Sequence, residues 1–142
     1  MSEKIICVRK LEFDAAHRII NHESKCKNLH GHRYVLEAKF TANKLDKLGR
    51  IIDFGVVKDK LGKWLDDNFD HNTILSIKDK KMGEEIAKNT KQKIYYLQEN
   101  PTAENIAKHL LQEICPKIFA KSEVKCVAIR LYETPNCYVD VE

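Results

Sequence analysis

The sequence predicts an α+β protein in which one antiparallel sheet is covered on one face by two helices. Segments near both ends of the chain alternate apolar and polar residues with a period of two, which is typical of half-buried strands. Two segments between them carry a single apolar stripe at helical spacing. At 142 residues with 43% hydrophobic content, the chain fits a single domain over residues 1–142.

The two N-terminal strands are predicted from their alternation. Between Ile5 and His17 the residues on one side are apolar apart from Arg9 and the final histidine. The pattern returns between residues 30 and 40, where one side carries His30, His32, Tyr34, Leu36, Ala38 and Phe40. We expect the two strands to pair through the polar connection 18–29. That connection is longer than a tight hairpin loop, which is a feature of functional loops.

Two helices are predicted in the middle of the chain. Asp53 occupies the position of a helix N-cap and is followed by apolar residues at helical spacing. The second helix opens at Pro101 and Thr102 and is expected to end at Pro116, because proline cannot continue the backbone hydrogen-bond ladder. Residues 78–93 between the helices are charged and show no convincing periodicity. They are interpreted as a surface excursion with at most a short helical turn.

The C-terminal strand pair is predicted from Val124 to Glu133 and from Tyr138 to Val141, with the turn Thr134-Pro135-Asn136 between them. Each predicted helix has one apolar stripe, so both belong on one face of the sheet. Two edge strands would then have unpaired backbone groups. This favours closure of the sheet by other copies of the chain.

Composition and charge argue against several classes of protein. The formal net charge is only +4, and twenty lysines against five arginines indicate a solvated surface rather than a nucleic-acid interface. No stretch approaches the roughly twenty apolar residues that cross a bilayer, so we expect a cytoplasmic protein without a membrane partner. The cysteines are odd in number and lack paired spacing, which argues against a disulfide framework: Cys7, Cys26, Cys115, Cys126 and Cys137.

Three histidines are the predicted metal ligands. His30 and His32 are separated by one residue, so on a strand their rings project from the same face, about 7 Å apart along the backbone. His17 ends the apolar side of the preceding strand, and pairing of the strands brings the three rings together. Three imidazoles with a vacant fourth position describe a catalytic zinc site. The alternative is three separately satisfied histidines.

Cys26 precedes this group in the segment Cys-Lys-Asn-Leu-His-Gly-His. It is either the fourth ligand of a closed structural site or a free thiolate that acts beside the metal as nucleophile or base. Lys25 and Lys27 flank it, and neighbouring positive charge favours a thiolate. An inert loop cysteine is the third possibility, and the residues alone leave the question open.

Four further polar residues are candidates for acid–base chemistry or binding. Asp70 can orient His71 as a proton carrier, although a histidine favoured by the helix dipole is the alternative. Glu133 ends a strand, where its carboxylate can accept two parallel hydrogen bonds from an amidine-like ligand edge, although strand-end glutamates are usually solvated. Glu104 lies in the first turn of the second helix, where a structural role towards the dipole is the stronger interpretation.

Six segments resemble, in order, the landmarks of the 6-pyruvoyltetrahydropterin synthase superfamily. They span nearly the whole chain, and the specific part is Cys-x3-His-Gly-His with an upstream Ala-Ala-His. The three residues between Cys26 and His30 resemble the 6-carboxytetrahydropterin synthases of queuosine biosynthesis. The segments are Phe13-Asp14-Ala15-Ala16-His17, Cys26 to His32, Ile52-Asp53-Phe54, Asp70-His71, Pro101-Thr102-Ala103-Glu104-Asn105 and Leu131-Tyr132-Glu133-Thr134.

The resemblance implies a tunnelling fold, in which three four-stranded sheets close a barrel and two trimers stack into a homohexamer with active sites between subunits. It implies that Zn²⁺ is held by His17, His30 and His32. The catalytic groups would be Cys26, Asp70 and His71, the last two from a neighbouring subunit. The pterin would be bound by Glu133, Thr102 and Glu104. By this analogy the thiol is a catalyst rather than a ligand.

The implied reaction is a carbon–carbon lyase reaction on a small pterin triphosphate. It converts 7,8-dihydroneopterin triphosphate to 6-carboxy-5,6,7,8-tetrahydropterin and releases acetaldehyde and triphosphate. A 6-pyruvoyltetrahydropterin synthase is the alternative within the family, and a non-catalytic zinc-stabilised binding module is the alternative outside it. Asp14 departs from the family pattern, but strand alternation turns its side chain away from the metal face, so no effect on catalysis is expected.

Overall fold

The computed structural model describes residues 4–142, which form one six-stranded sheet and three helices. The order across the sheet is β4-β3-β1-β2-β5-β6. The strands are β1 (Cys7–His17), β2 (His30–Ala42), β3 (Asn72–Ser76), β4 (Ile94–Leu97), β5 (Val124–Thr134) and β6 (Cys137–Val141).

The helices are α1 (residues 54–68), α2 (Lys80–Thr90) and α3 (residues 103–118). The first and last each contain a wider π segment, Lys58–Gly62 and Leu110–Ile114. The predicted N-cap of α1 is confirmed, because the Asp53 carboxylate accepts a hydrogen bond from Gly55 N at 2.9 Å. Within residues 4–142 no helix has the length and apolarity needed to span a bilayer.

The four antiparallel strands predicted from alternation are confirmed. β1 and β2 pair over their length, from Cys7 opposite Phe40 to His17 opposite His30. β2 pairs with β5, and β5 pairs with β6. One face of these strands packs against α1 and α3, as predicted. Its buried residues include Leu11, Phe13, Tyr34, Leu36, Phe40, Ile129 and Leu131, and they meet Val57, Leu61, Leu65, Ile106 and Leu110 of the helices.

The prediction of four strands and two helices is incomplete, because residues 72–97 add two strands and α2. β3 runs parallel to β1 and pairs with Ala15–His17, and β4 runs parallel to β3. β3 is buried on both faces, so it shows no alternation, and four- or five-residue strands offer too few positions for a periodic pattern. The charged segment 78–93, interpreted as a surface excursion with at most a short helical turn, contains the whole of α2.

Helix α2 packs on the sheet face opposite to α1 and α3. Adjacent side chains of a strand point to opposite faces. Tyr95 points towards the core, where its ring lies 5.0 Å from that of Phe69. Tyr96 points the other way and contacts α2 at Gly83.

Helix α3 continues past Pro116 to Ile118, two residues beyond the predicted end. A proline ring normally clashes with the carbonyl four residues earlier. The preceding segment is π-helical, and Cys115 N donates to Leu110 O, five residues back. This wider turn accommodates the proline and its missing N–H, which no local sequence signal indicates.

Candidate metal centre and active site

The three predicted metal ligands meet at one end of the β1–β2 pair. His17 lies directly opposite His30, and His32 is on the same face two residues further along β2. Their ring centroids are 4.7 to 5.1 Å apart, and one ring nitrogen from each lies within 4.8 Å of the other two. Side chains paired across strands on one face are close neighbours. Strand register therefore assembles this three-histidine group, as the alternation predicted.

Backbone carbonyls determine which nitrogen of two of these rings is free. The Nδ1 atoms of His17 and His30 each lie 2.7 Å from a carbonyl oxygen, that of Pro101 and that of Asn28. A carbonyl only accepts, so each Nδ1 carries the proton and each Nε2 keeps its lone pair. The two Nε2 atoms lie 3.2 Å apart. Lone pairs this close repel each other unless a cation or a proton lies between them, and a carbonyl behind the ring is the usual support of a metal-bound imidazole.

The third histidine, His32, also indicates a metal site. Among residues 4–142, the buried Nε2 atom of His32 has no hydrogen-bond partner, and Glu133 Oε1 lies 3.4 Å away. Buried polar atoms rarely remain unpaired, and a metal ion would provide the missing partner. Burial lowers the pKa of both His17 and His32, which favours the neutral imidazole that binds metals. A donor set of three imidazole nitrogens fits zinc.

Cys26 lies in the connection between the two strands that carry the three histidines, outside their ligand set. It is in the 3₁₀ turn Lys25–Lys27 of the connection between β1 and β2, and it is partly exposed. Over residues 4–142, the metal-binding group at this place comprises the histidines and does not include the Cys26 thiol. A free thiol outside the ligand set is available for the predicted catalytic role.

Asp70 and His71 form a second group around the main chain of Asp14. Asp70 Oδ1 accepts from Asp14 N at 2.8 Å, and Asp70 Oδ2 lies 2.9 Å from His71 Nδ1. His71 N donates to Asp14 O at 2.6 Å and holds the residue at φ 60°, a region that few non-glycine residues adopt. The hydrogen bond and the charge of Asp70 raise the pKa of the exposed His71 ring. Position 14 therefore contributes main-chain contacts that side-chain alternation does not reveal.

The second group lies on the opposite face of the sheet from the three histidines. Asp14 alternates with Ala15 along β1 and so points away from the face that carries His17. Its carboxylate accepts from Arg33 Nη1 at 2.8 Å, and His71 lines an open depression together with these two residues. The structure thus brings Asp70 and His71 together, but within one chain it keeps them apart from the three histidines.

Two of the three predicted pterin-binding residues lie close to the three-histidine group. Glu133, at the end of β5, is beside His32. Thr102 caps α3 by accepting from Asn105 N at 3.1 Å, and it directly follows Pro101, whose carbonyl oxygen contacts His17. Glu104 lies in the first turn of α3 and is exposed, as the dipole interpretation also expects.

Sequence reasoning missed the groups that support the histidines. Tyr34 is fully buried, and its hydroxyl oxygen lies 3.1 Å from His17 Nδ1. Burial raises the pKa of Tyr34, and the charge of Glu133 adds to this effect. Tyr34 shares the alternating face of β2 with His30 and His32, so the pattern contained a signal for it. The carbonyls of Pro101 and Asn28 are main-chain groups and leave no such signal.

Sequence comparison with known proteins identifies one family. Residues 6–142 match the sequence model of the family described as 6-pyruvoyl tetrahydropterin synthase. The 6-carboxy-5,6,7,8-tetrahydropterin synthase of Rickettsia conorii is 59% identical over 96% of this chain and 99% of that protein. The protein of the same name from Aquifex aeolicus is 36% identical over 78% and 72%.

Solved structures show the same fold at low sequence identity. An uncharacterized protein from Wolinella succinogenes, WS1659, superposes with a TM-score of 0.82 at 19% identity, covering 99% of this chain and 98% of that one. The 6-pyruvoyl tetrahydropterin synthase of Plasmodium falciparum gives 0.70 at 18% identity with the same coverage. At these identities the likeness concerns the fold alone.

Proposed function

The chain belongs to the 6-pyruvoyl tetrahydropterin synthase family and has its tunnelling fold, and on this basis we propose that it is a 6-carboxy-5,6,7,8-tetrahydropterin synthase. It would convert 7,8-dihydroneopterin triphosphate to 6-carboxytetrahydropterin, with release of acetaldehyde and triphosphate, in queuosine biosynthesis. Near-full-length identity of 54 to 59% to four relatives of that name supports the assignment. The observation that carries it is the three-histidine group with its facing lone pairs.

We assign zinc to this group, held by His17, His30 and His32. When bound, zinc polarises oxygen atoms of the substrate side chain and acidifies the adjacent protons. The carbonyls behind two of the rings keep the Nε2 lone pairs available for the ion. Because three side chains provide the ligands, substrate oxygens have access to the metal.

Cys26 acts as the base that removes a proton from the substrate side chain. The 2.9 Å contact between Asp70 Oδ2 and His71 Nδ1 orients the His71 ring and raises its pKa. His71 therefore stays protonated to a higher pH and can donate a proton to the product. The Asp70–His71 pair lies on the sheet face opposite to the metal group. The pair that serves a given metal centre therefore comes from a neighbouring copy of the chain.

The pterin binds through its pyrimidine edge to Glu133. A carboxylate accepts two parallel hydrogen bonds from such an edge, and the partial exposure of Glu133 leaves its oxygens accessible. Its position beside His32 brings the ligand next to the metal group. Thr102 and Glu104, at the start of α3, are the further residues that we propose to contact the pterin.

We infer that the chain assembles as a homohexamer of two trimers. β3 covers only residues 15–17 of β1, so among the described strands residues 7–13 of β1 have no strand paired with one edge. β6 has a free edge at the other side of this antiparallel part of the sheet. Pairing such edges between copies closes a barrel and removes the unpaired backbone groups.

Product identification by mass spectrometry tests the proposed reaction. We expect 6-carboxytetrahydropterin and acetaldehyde from 7,8-dihydroneopterin triphosphate. A product that keeps the three-carbon pyruvoyl side chain would assign the chain to the alternative branch of its family.

Substitution of the thiol tests the proposed role of Cys26. Cys26→Ala should retain zinc and fold while kcat falls by about 10² to 10⁴, the usual contribution of a positioned acid or base. Cys137→Ala, at an exposed cysteine on β6, is the matched control and should keep the wild-type rate. Loss of zinc from Cys26→Ala would indicate a fourth ligand and hence the zinc-stabilised binding module.

A further inference from the structure

An ion pair connects α2 to the residue that directly follows the ligand His17. Arg18 Nε donates to Asp79 Oδ2 and Arg18 Nη2 donates to Asp79 Oδ1, both at 2.6 Å. The Asp79 side chain is 6% exposed and that of Arg18 is 28% exposed. A two-bond contact between planar groups fixes the orientation of the guanidinium as well as its position, unlike a single contact on an open surface.

Three consecutive residues at the start of the β1–β2 connection are tied to different parts of the molecule. Arg18 is held by the ion pair, Ile19 N donates to Cys26 O at 2.9 Å, and Ile20 O accepts from Asn100 Nδ2 at 3.1 Å. Beyond this point, the hydrogen bonds observed for residues 21–27 stay within the connection. These contacts therefore fix the start of the connection that leads to Cys26, and Asp79 provides the charged contact there.

Helix α2 is itself fixed relative to the metal group. Asp79 immediately precedes this helix, and β3, which leads into it, pairs with β1 at residues 15–17. Gly83 allows close packing on β4, because a Cβ at this position would approach Tyr96 Cζ to 2.8 Å. The segment 72–97 thus presents Asp79 to Arg18 from a well-packed support.

From these contacts we propose that Asp79 is a positioning residue of the active site. It holds Arg18 and thereby fixes the start of the connection that carries Cys26. The inference rests on the catalytic role proposed for Cys26. The proposed pterin contacts lie on β5 and α3, outside this connection, so removal of the anchor should affect kcat more than KM.

Asp79→Asn in the zinc-loaded full chain tests the inference. The variant keeps the size of the side chain but removes its charge and one acceptor. We expect kcat to fall about 10- to 100-fold, the effect of a small displacement of a catalytic group, with KM and zinc content near wild type. The assay is run at a temperature at which circular dichroism shows the variant to be folded. Because both residues act as one unit, Arg18→Gln combined with Asp79→Asn should be no slower than the slower single variant.

The reactivity of Cys26 provides a second measurement that requires no turnover. Alkylation by iodoacetamide is followed by peptide mass spectrometry, with the exposed Cys137 as an internal reference in the same sample. Asp79→Asn should raise the Cys26 rate several-fold relative to Cys137, because a released loop exposes the thiol. If the wild type forms no pterin product but Cys26 responds in this way, the positioning role stands and the proposed function fails.

Asp140→Asn is the matched control. Arg130 and Asp140 make the same two-bond contact, at 2.7 and 3.0 Å, between β5 and β6. This variant should keep wild-type kcat and Cys26 alkylation. Wild-type kcat and wild-type Cys26 alkylation in Asp79→Asn would overturn the inference. Loss of zinc from this variant would also overturn it, because the Arg18–Asp79 ion pair would then support His17 and not the position of Cys26.

Discussion

At the scale of single residues, the three-histidine group was predictable from the sequence, but the protonation of its rings was not. Period-two spacing was sufficient to predict that His17, His30 and His32 meet, because strand pairing dictates which side chains become neighbours. The proton positions were not predictable, since they depend on the carbonyls of Pro101 and Asn28. Pro101 lies 84 residues from His17, and only the folded chain brings them together.

Removal of one imidazole should abolish metal binding. His32→Ala takes away one of three ligands and leaves a site that two neutral rings hold weakly. Zinc measured by mass spectrometry after dialysis should fall from about one ion per chain to a small fraction of that. The control His22→Ala changes a histidine outside the group and should keep the metal. Full zinc retention in His32→Ala would refute the assignment of this ligand.

The Asp70–His71 pair leads to a prediction about pH. Asp70 raises the pKa of His71, so the ring keeps its proton to a higher pH than an isolated histidine does. Asp70→Asn removes the charge, and the pKa of His71 measured by NMR should drop towards its ordinary value of about 6.5. The alkaline limb of the kcat profile should move to lower pH in parallel. Asp66→Asn, on the exposed side of α1, should change neither. An unchanged pKa in Asp70→Asn would contradict the role of this contact.

At the scale of elements, long amphipathic segments were predictable and short buried ones were not. α1 and its cap, β1, β2, β5 and β6 follow directly from periodicity. The short apolar segment of β3 and the four residues of β4 show no periodic pattern. Helix α2 was not predicted because its segment is rich in charged residues. β3 is positioned by pairing with the end of β1, β4 by pairing with β3, and α2 by packing on these two strands rather than by local preference.

Packing of α2 on β4 should depend on Gly83. Gly83→Ala places a methyl group against the Tyr96 ring, and we expect a loss of about 1–3 kcal/mol in the free energy of unfolding. Gly62→Ala in α1 is the control: its Cβ would be 3.6 Å from the nearest atom, an ordinary contact, and alanine favours the helix. Urea unfolding should show Gly62→Ala at least as stable as wild type.

Replacing Tyr96 examines the same contact from the other side. Tyr96→Phe removes the hydroxyl oxygen that a new methyl group would meet first. The double variant Gly83→Ala/Tyr96→Phe should therefore recover part of the lost stability, a coupling expected only for residues in direct contact. Additive effects of the two substitutions would contradict this packing.

At the scale of the whole molecule, the proposed assembly rests on the separation of the three histidines from the Asp70–His71 pair. Sequence patterns indicated the unpaired edges and hence the need for other copies, but not which face each group occupies. The structure places the three histidines and the Asp70–His71 pair on opposite faces of the sheet. Under the proposed mechanism, which uses both groups in one reaction, a single chain has an incomplete site.

Subunit complementation tests this arrangement. Cys26→Ala and His71→Ala should each be inactive alone. When they are coexpressed, random mixing gives roughly one site in four with both native residues, so about a quarter of the wild-type activity should return. No recovery in mixed oligomers, confirmed by native mass spectrometry, would mean that both residues serve the site of their own chain.

Zinc K-edge X-ray absorption of the zinc-loaded protein tests the central claim most directly, namely that imidazoles alone hold the metal and leave it open to substrate. We expect nitrogen and oxygen neighbours at about 2.0–2.1 Å and no sulfur neighbour. A sulfur shell at about 2.3 Å would make Cys26 a ligand, close the coordination sphere and contradict the catalytic interpretation.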